Sequence, residues 1–152
     1  MDLNLSCYRY WGTPLQIWRE ENGTEEKCIG SIQELKDAVA VAVNSGVLSA
    51  EEQQKSETIL HSLTHSTFDM HRPYVDDVIL TSAAGKKMFR EPDLIDVWFD
   101  SGAMPYAQWH FPFENKEAFT GAYPADFIAE GVDQTRGWFF TLHAIAVMLS
   151  EA

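Results

Sequence analysis

The 152-residue chain is short of cysteine, of cations and of long apolar runs, and each shortage narrows what it can be. Its two cysteines, Cys7 and Cys28, are too few and too far apart for a disulfide framework, which points to a reduced, intracellular setting. Eleven Lys and Arg against 23 Asp and Glu leave a net charge of −12. That balance repels a phosphate backbone and argues against tight nucleic-acid binding by this chain. No stretch approaches the roughly 18 uninterrupted apolar residues of a membrane span. The most apolar run, 137–149, is interrupted by Thr141 and His143. The first residues lack the basic and apolar regions of a signal peptide. A glycine-rich phosphate loop, a nucleophile elbow, an activated-cysteine arrangement, internal repeats and low-complexity segments are absent too.

What the chain does have is 45% hydrophobic and 12% aromatic residues, enough for a sizeable core. Its length suits one modest domain or a piece of a larger one. Both termini start and stop in structured-looking sequence, as an excised fragment would. Residues 4–19 read as strand, turn, strand, broken at Gly12-Thr13-Pro14, and Asn22-Gly23 as a hairpin tip. Ser31 with Glu34, and Ser49 with Glu52, are capping boxes that open two helices, the first stopping at Asn44-Ser45-Gly46. "YVDDVIL" and "GKKMFREP" read as short strands, and residues 93–115 as a loop-rich wall of acids and aromatics. "ADFIAEG" reads as a buried strand ending at Gly131, with Asp133 capping a following helix that is apolar on most faces.

A strand, a glycine and a helix N-terminus make the crevice in which open α/β sheets bind ligands. Asp133 could cap that helix or accept from ribose hydroxyls, and Gln134 both donates and accepts. Spacing alone leaves "EGVDQTRGWFF" (130–140) open between a capped core helix, with Trp138 as packing, and a binding site. Asp93, Asp96 and Asp100 around Trp98 suit acid/base or metal chemistry, and equally a solvated turn in which Trp98 walls a pocket. His61 and His65, spaced i, i+4 with Asp69 beyond, have zinc-binding geometry without a fourth ligand or a catalytic glutamate. His110 and His143 have no evident partner and read as core or rim packing.

Five stretches in order, "RYWGTPLQIW" (9–18), "IGSIQELK" (29–36), "HRPYVDDVIL" (71–80), "DLIDVWFDSGAMPYAQWHFPFEN" (93–115) and "YPADFIAEGVDQTRGWFFTLHAIA" (123–146), span nearly the whole chain. Together they resemble the isoleucyl-tRNA synthetases. "YWGTP" is shared with leucyl and valyl relatives, whereas "VWFDSGAMPYA" with "EGVDQTRGWF" is particular to the isoleucyl family. The resemblance implies an α/β fold in which a partial Rossmann-type core carries an inserted α+β connective subdomain. By it, residues 1–18 return from the editing insertion, 19–92 form the connective insertion, and 93–152 form the second half of the catalytic core. It further implies that Glu130, Gly131, Asp133 and Gln134 hold the aminoacyl-adenylate, and that Trp98 and Trp138 line the isoleucine side-chain pocket. The whole enzyme of such a family uses ATP with Mg, isoleucine and tRNA(Ile), in the cytoplasm and away from any membrane.

The chain departs from the family in two places. Glu20, Gly23, Ser82 and Ala84 stand where many members carry two pairs of zinc-binding cysteines, so no structural zinc is expected and apolar packing should hold the insertion instead. Cys7-Tyr8 stands where a more polar, arginine-containing pair is usual. The family's "HIGH" and "KMSKS" signatures do not occur within these 152 residues, so the chain alone is expected not to activate isoleucine. Two other readings stand beside this one: a non-catalytic binding module derived from a synthetase, and a small metal-dependent hydrolase using His61, His65 and Asp69. A reading frame continuing past Ala152 towards a "KMSKS" stretch separates the enzyme from the module, and metal content decides the hydrolase.

Overall fold

The structure, a computed structural model, describes residues 6–7, 11–21, 23–132 and 137–150. The chain is mixed α/β and divides into two compact units, 6–94 and 95–150 among the described residues.

In the first unit, β2 (Ile17–Glu20), β3 (Glu26–Cys28), β4 (Leu80–Thr81) and β5 (Lys87–Arg90) form an antiparallel sheet in the order β3-β2-β5-β4. β1 (Ser6–Cys7) and β6 (Leu94–Ile95) pair separately. Residues 20–26 turn β2 into β3 in register Ile17↔Cys28, as the hairpin expectation required, although Asn22 itself lies outside the described residues. The period of two in "IWRE" and "KMFR" puts Trp18, Glu20, Met88 and Arg90 on one covered face. In that face Trp18 lies opposite Arg90, and Glu20 opposite Met88.

Helix α1 (Ile32–Asn44) starts where the Ser31 hydroxyl accepts from the Glu34 amide, and α2 (Ala50–Thr64) starts with the full Ser49–Glu52 capping box. Leu35, Ala38, Val39 and Ala42 follow the helical period and make the buried stripe of α1. Leu35, Ala38 and Val39 join Ile59 and Leu63 of α2 in one cluster with Trp18, Leu80 and Met88. Trp18 is wholly buried, and its indole N–H donates to the Val78 carbonyl at 2.9 Å, so the largest core side chain is also polar-satisfied. The strand expected over "YVDDVIL" is corrected: Tyr74–Asp77 is a 3-10 turn, and only Leu80–Thr81 is strand. Pro73 stands at the head of this turn, and Asp76 is drawn inward to two arginines.

The second unit consists of α3 (Val97–Ala107), α4 (Lys116–Ala122) and α5 (Trp138–Ser150). Residues 93–115 are therefore less loop-rich than expected, since α3 occupies their centre. Asp96 caps α3 by accepting from the Trp98 amide at 2.8 Å. Gly102 is the close-approach point of α3 and α5: a Cβ there would stand 2.9 Å from both the Ile145 Cδ1 and the Thr141 Cβ. Thr141 and Ile145, one turn apart, are the buried residues of α5. The expected strand over 125–131 is also corrected. These residues are irregular and mostly exposed, with Phe127 85% accessible. An apolar run becomes a strand only where other strands pair with it, and among the described residues no strand pairs with this one.

Candidate functional site

Two of the four residues expected to hold an adenylate are described. Glu130 and Gly131 lie in the irregular segment that leads to α5, while Asp133 and Gln134, with the cap and the shared helix face expected of them, lie outside the described residues. One carboxylate oxygen of Glu130 accepts from the Phe139 amide at 3.3 Å. That amide is among the unpaired donors of the first turn of α5, where a carboxylate also meets the positive end of the helix dipole. A cap is thus present at this helix start, and Glu130 supplies it.

Trp138 is the first residue of α5, and its indole N–H donates to the Ser101 carbonyl at 2.9 Å. The acceptor is free for a reason readable in the sequence. Pro105 lies four residues after Ser101 inside α3 and has no N–H to close the helical bond onto that carbonyl. Proline therefore opens a backbone acceptor in mid-helix, and the tryptophan of another helix fills it. Trp98, in the first turn of α3, is 41% exposed.

A cleft of about 310 Å³ opens in the second unit, walled by Met104, Pro105, Trp109, Ile128, Trp138 and Leu142 among others. Its wall is mostly apolar. Trp138 lines this cleft and Trp98 does not. At its floor the phenols of Tyr106 and Tyr123 are hydrogen-bonded at 3.0 Å. Burial, and then that hydrogen bond, push the Tyr106 phenol up to about 12, so this phenol stays protonated at physiological pH. His143 borders the same cleft, and His110 lies 3.5 Å from the Glu114 carboxylate, with both side chains exposed.

The four positions where the family carries thiolates contain no sulfur, and three of them take part in a different bond set. The Glu20 side chain is 5% exposed and receives the Lys86 ammonium at 3.3 Å. Hydrogen bonding from Ser82, against the cost of burial and with help from Lys86, holds the Glu20 carboxyl below the usual carboxylate range. Gly23 is the residue that admits this arrangement, since a Cβ there would stand 1.8 Å from the Glu20 Oε2. Across the same hairpin tips the Ala83 amide donates to both oxygens of Glu25, at 3.0 and 3.1 Å. One carboxylate already paired with an ammonium, one hydroxyl and no thiolate do not suit zinc. The apolar cluster expected to hold the insertion is accordingly joined by a clasp of ionic and hydrogen bonds.

The hydrolase constellation does not assemble. The rings of His61 and His65 lie tilted by 30° with centroids 4.2 Å apart, and Asp69 turns to His71, whose Nδ1 lies 2.8 Å from it. Among the described residues no group of three His, Cys, Asp or Glu is placed to hold a metal ion. Nor does any helix among them have the length and apolarity to cross a membrane. The features that sequence reasoning missed are the Ser101 acceptor, for which Pro105 was the available signal, and the buried charges Glu20 and Arg90.

Comparison with known proteins bears on all of these residues. The family described as tRNA synthetases class I (I, L, M and V) matches residues 1–152. The isoleucine–tRNA ligase of Cytophaga hutchinsonii is 64% identical over 151 residues, covering 99% of this chain and 12% of that protein. The isoleucine–tRNA ligase of Bacteroides fragilis is 56% identical over 99% of the chain and 14% of its own length. That of Thermus thermophilus is 48% identical over 98% of the chain and 12% of its own length. The chain thus spans about one-eighth of the length of the relatives it matches.

Proposed function

The chain belongs to the class I tRNA synthetases of the I, L, M and V group, and from that premise we propose that it is the part of an isoleucine–tRNA ligase forming one wall of the aminoacyl-adenylate site. The observation that carries the reading is 64% identity to a protein of that name across 99% of the chain. In this reading residues 93–152 are the second half of a Rossmann-type nucleotide-binding core, 19–92 a connective insertion, and 1–18 the return into the core from an editing insertion.

The proposed chemistry follows from the side chains. Glu130 and Asp133 present carboxylate oxygens, which suit ribose hydroxyls and an α-ammonium, and Gln134 adds a donor and an acceptor. Gly131 lets the ligand approach the backbone closely. Trp98 and Trp138 offer indole faces to a branched apolar side chain. Such walls discriminate by only about 1–3 kcal/mol per methylene, so an enzyme relying on them needs a separate step to remove valine. A carboxylate has two oxygens, so the Phe139 amide on one of them leaves capping and ligand binding by Glu130 compatible. ATP with Mg is proposed for the whole enzyme, whose activation chemistry would use groups outside this chain. tRNA contacts are likewise assigned to other parts of the polypeptide, because a net charge of −12 opposes them here. The cytoplasm is the proposed location, without zinc in this segment.

Isoleucine-dependent ATP–pyrophosphate exchange tests the reading. The full-length enzyme should show it, and Trp138→Ala in that enzyme should lower kcat/KM for isoleucine by about tenfold or more, equivalent to about 1.4 kcal/mol. The 152-residue chain alone should show none. Exchange by the chain alone, or a full-length protein indifferent to isoleucine, would reject the proposal.

A further inference from the structure

The geometry points to Arg90 as a lock on the neck of the first unit: one buried guanidinium ties the strand that enters the unit to the segment that leaves it. The side chain of Arg90 is 1% exposed, on the covered face of the sheet at the end away from the hairpin tips. Its NH1 donates to the Leu15 carbonyl on the entering side and the Asp93 carbonyl on the leaving side, each at 3.1 Å. Its NH2 donates to the Pro92 carbonyl at 3.4 Å and to Asp76, while Nε donates to the same Asp76 oxygen at 2.8 Å. Five N–H donors therefore meet acceptors, which is the full capacity of a guanidinium.

The backbone closes the same neck. The Leu15 amide donates to the Asp93 carbonyl at 3.4 Å, the Glu91 amide to the Ile17 carbonyl at 2.8 Å, and Pro14 bridges Leu94. The first of these bonds is long, so the guanidinium sits where the ladder is weakest. Only an arginine can serve three carbonyls and a carboxylate at once, because its fork is planar and rigid whereas an ammonium offers three donors from a point.

The counter-ion is fixed as well. Arg72 Nε donates to the other Asp76 oxygen at 2.7 Å. Burial works against ionisation of Asp76, but the hydrogen bonds from Arg72 and Arg90 outweigh it and hold the carboxyl below the usual range. Asp76 belongs to the 3-10 turn, so the lock joins three parts of the unit: the way in, the way out and the turn between α2 and β4. Asp93 is the last point so held before the chain runs through β6 into the N-cap of α3 at Asp96. A buried charge of this kind is costly unless fully partnered, and its value lies in specifying one arrangement of the neck.

The test is amide hydrogen exchange by NMR on the 152-residue chain with Arg90→Met. The Leu15 and Glu91 amides should exchange at least about tenfold faster, while the Leu35 amide at the start of α1 and the Ser82 amide at the hairpin tip keep their wild-type rates. Unchanged Leu15 and Glu91 rates would overturn the lock. So would equal acceleration at all four sites, which reports general destabilisation. If Arg90→Met does not fold, Arg90→Lys decides the question. It keeps the charge but loses the fork, so the same two amides should accelerate selectively, by about threefold. Uniform acceleration or none in that variant rejects the proposal. Arg72→Gln serves as the control, since it leaves the neck carbonyls untouched. Accelerated exchange at Leu15 and Glu91 in that variant would assign the lock to the Asp76 network and not to Arg90.

Discussion

Of unit 6–94 and unit 95–150, the second is the more apolar in sequence, yet the first is the one that closes its apolar residues into a core. The first gathers Trp18, Leu35, Val39, Leu63, Leu80 and Met88 into one cluster with almost no accessible surface. It satisfies its buried charges as well, Glu20 at the hairpin tips and Arg90 at the neck. The second buries Ile145, Thr141 and Phe119 but leaves Phe127, Val132, Phe139, Phe140, Met148 and Leu149 accessible. A helix apolar nearly all round belongs in a core, yet α5 has only one face covered by its own unit. The difference is in keeping with the division proposed above, in which 19–92 is an insertion and 93–152 part of a larger core. Exposed apolar surface of this extent marks an interface.

The widest separation between the units should come from Trp18→Ala, which removes a fully buried indole and strands the Val78 carbonyl. A cost of about 3–5 kcal/mol is expected, read as a loss of stability of the first unit by chemical denaturation. A cost below about 1 kcal/mol would deny that this core is closed.

Acid provides a smaller and graded probe of the first unit. The hydrogen bond from Lys87, then those from the Ser49 backbone and hydroxyl, lower the Glu52 carboxyl to about 2. Its folded value lies below its unfolded value of about 4.5, so the stabilisation is complete above that pH and is lost as pH falls towards 2. The melting temperature should decline over that window, and Glu52→Gln should flatten the decline. Identical pH profiles for both proteins would remove Glu52 from the account.

The smallest effect is expected on the open side. Phe140→Ala on α5 should change the stability of the 152-residue chain by no more than about 0.5 kcal/mol, because the side chain is half exposed there. In the full-length protein the same substitution should cost about 2 kcal/mol or more, if the rest of the polypeptide covers that face. Equal small effects in both would mean that α5 is a free surface.

How much of this was legible in the sequence depended on how local each signal was. Ser31, Ser49 and Glu52 marked the helix starts correctly, because a cap is decided within four residues. The α3 helix escaped notice because Gly102 and Pro105 are poor helix formers, kept here by close packing and by the indole bond to Ser101. Residues 125–131 have the apolar content of a strand but no partner strand among the described residues. Glu20 and Arg90 look like the polar ends of amphipathic strands, and nothing short of the fold shows that they face inward. For the candidate site, Glu130 accepts from the Phe139 amide at the start of α5, while the cap expected of Asp133 lies outside the described residues. The family resemblance, and not periodicity, named the pocket, because ligand recognition by dispersed side chains leaves no period to detect.

A urea titration of the 152-residue chain, followed residue by residue in NMR spectra, tests the contrast between the units most directly. Signals from α3 and α5 should disappear at lower urea than those from α1, α2 and the four-stranded sheet, giving two separated transitions. A single coincident transition for all of them would contradict the account of one closed unit and one that needs the rest of its protein.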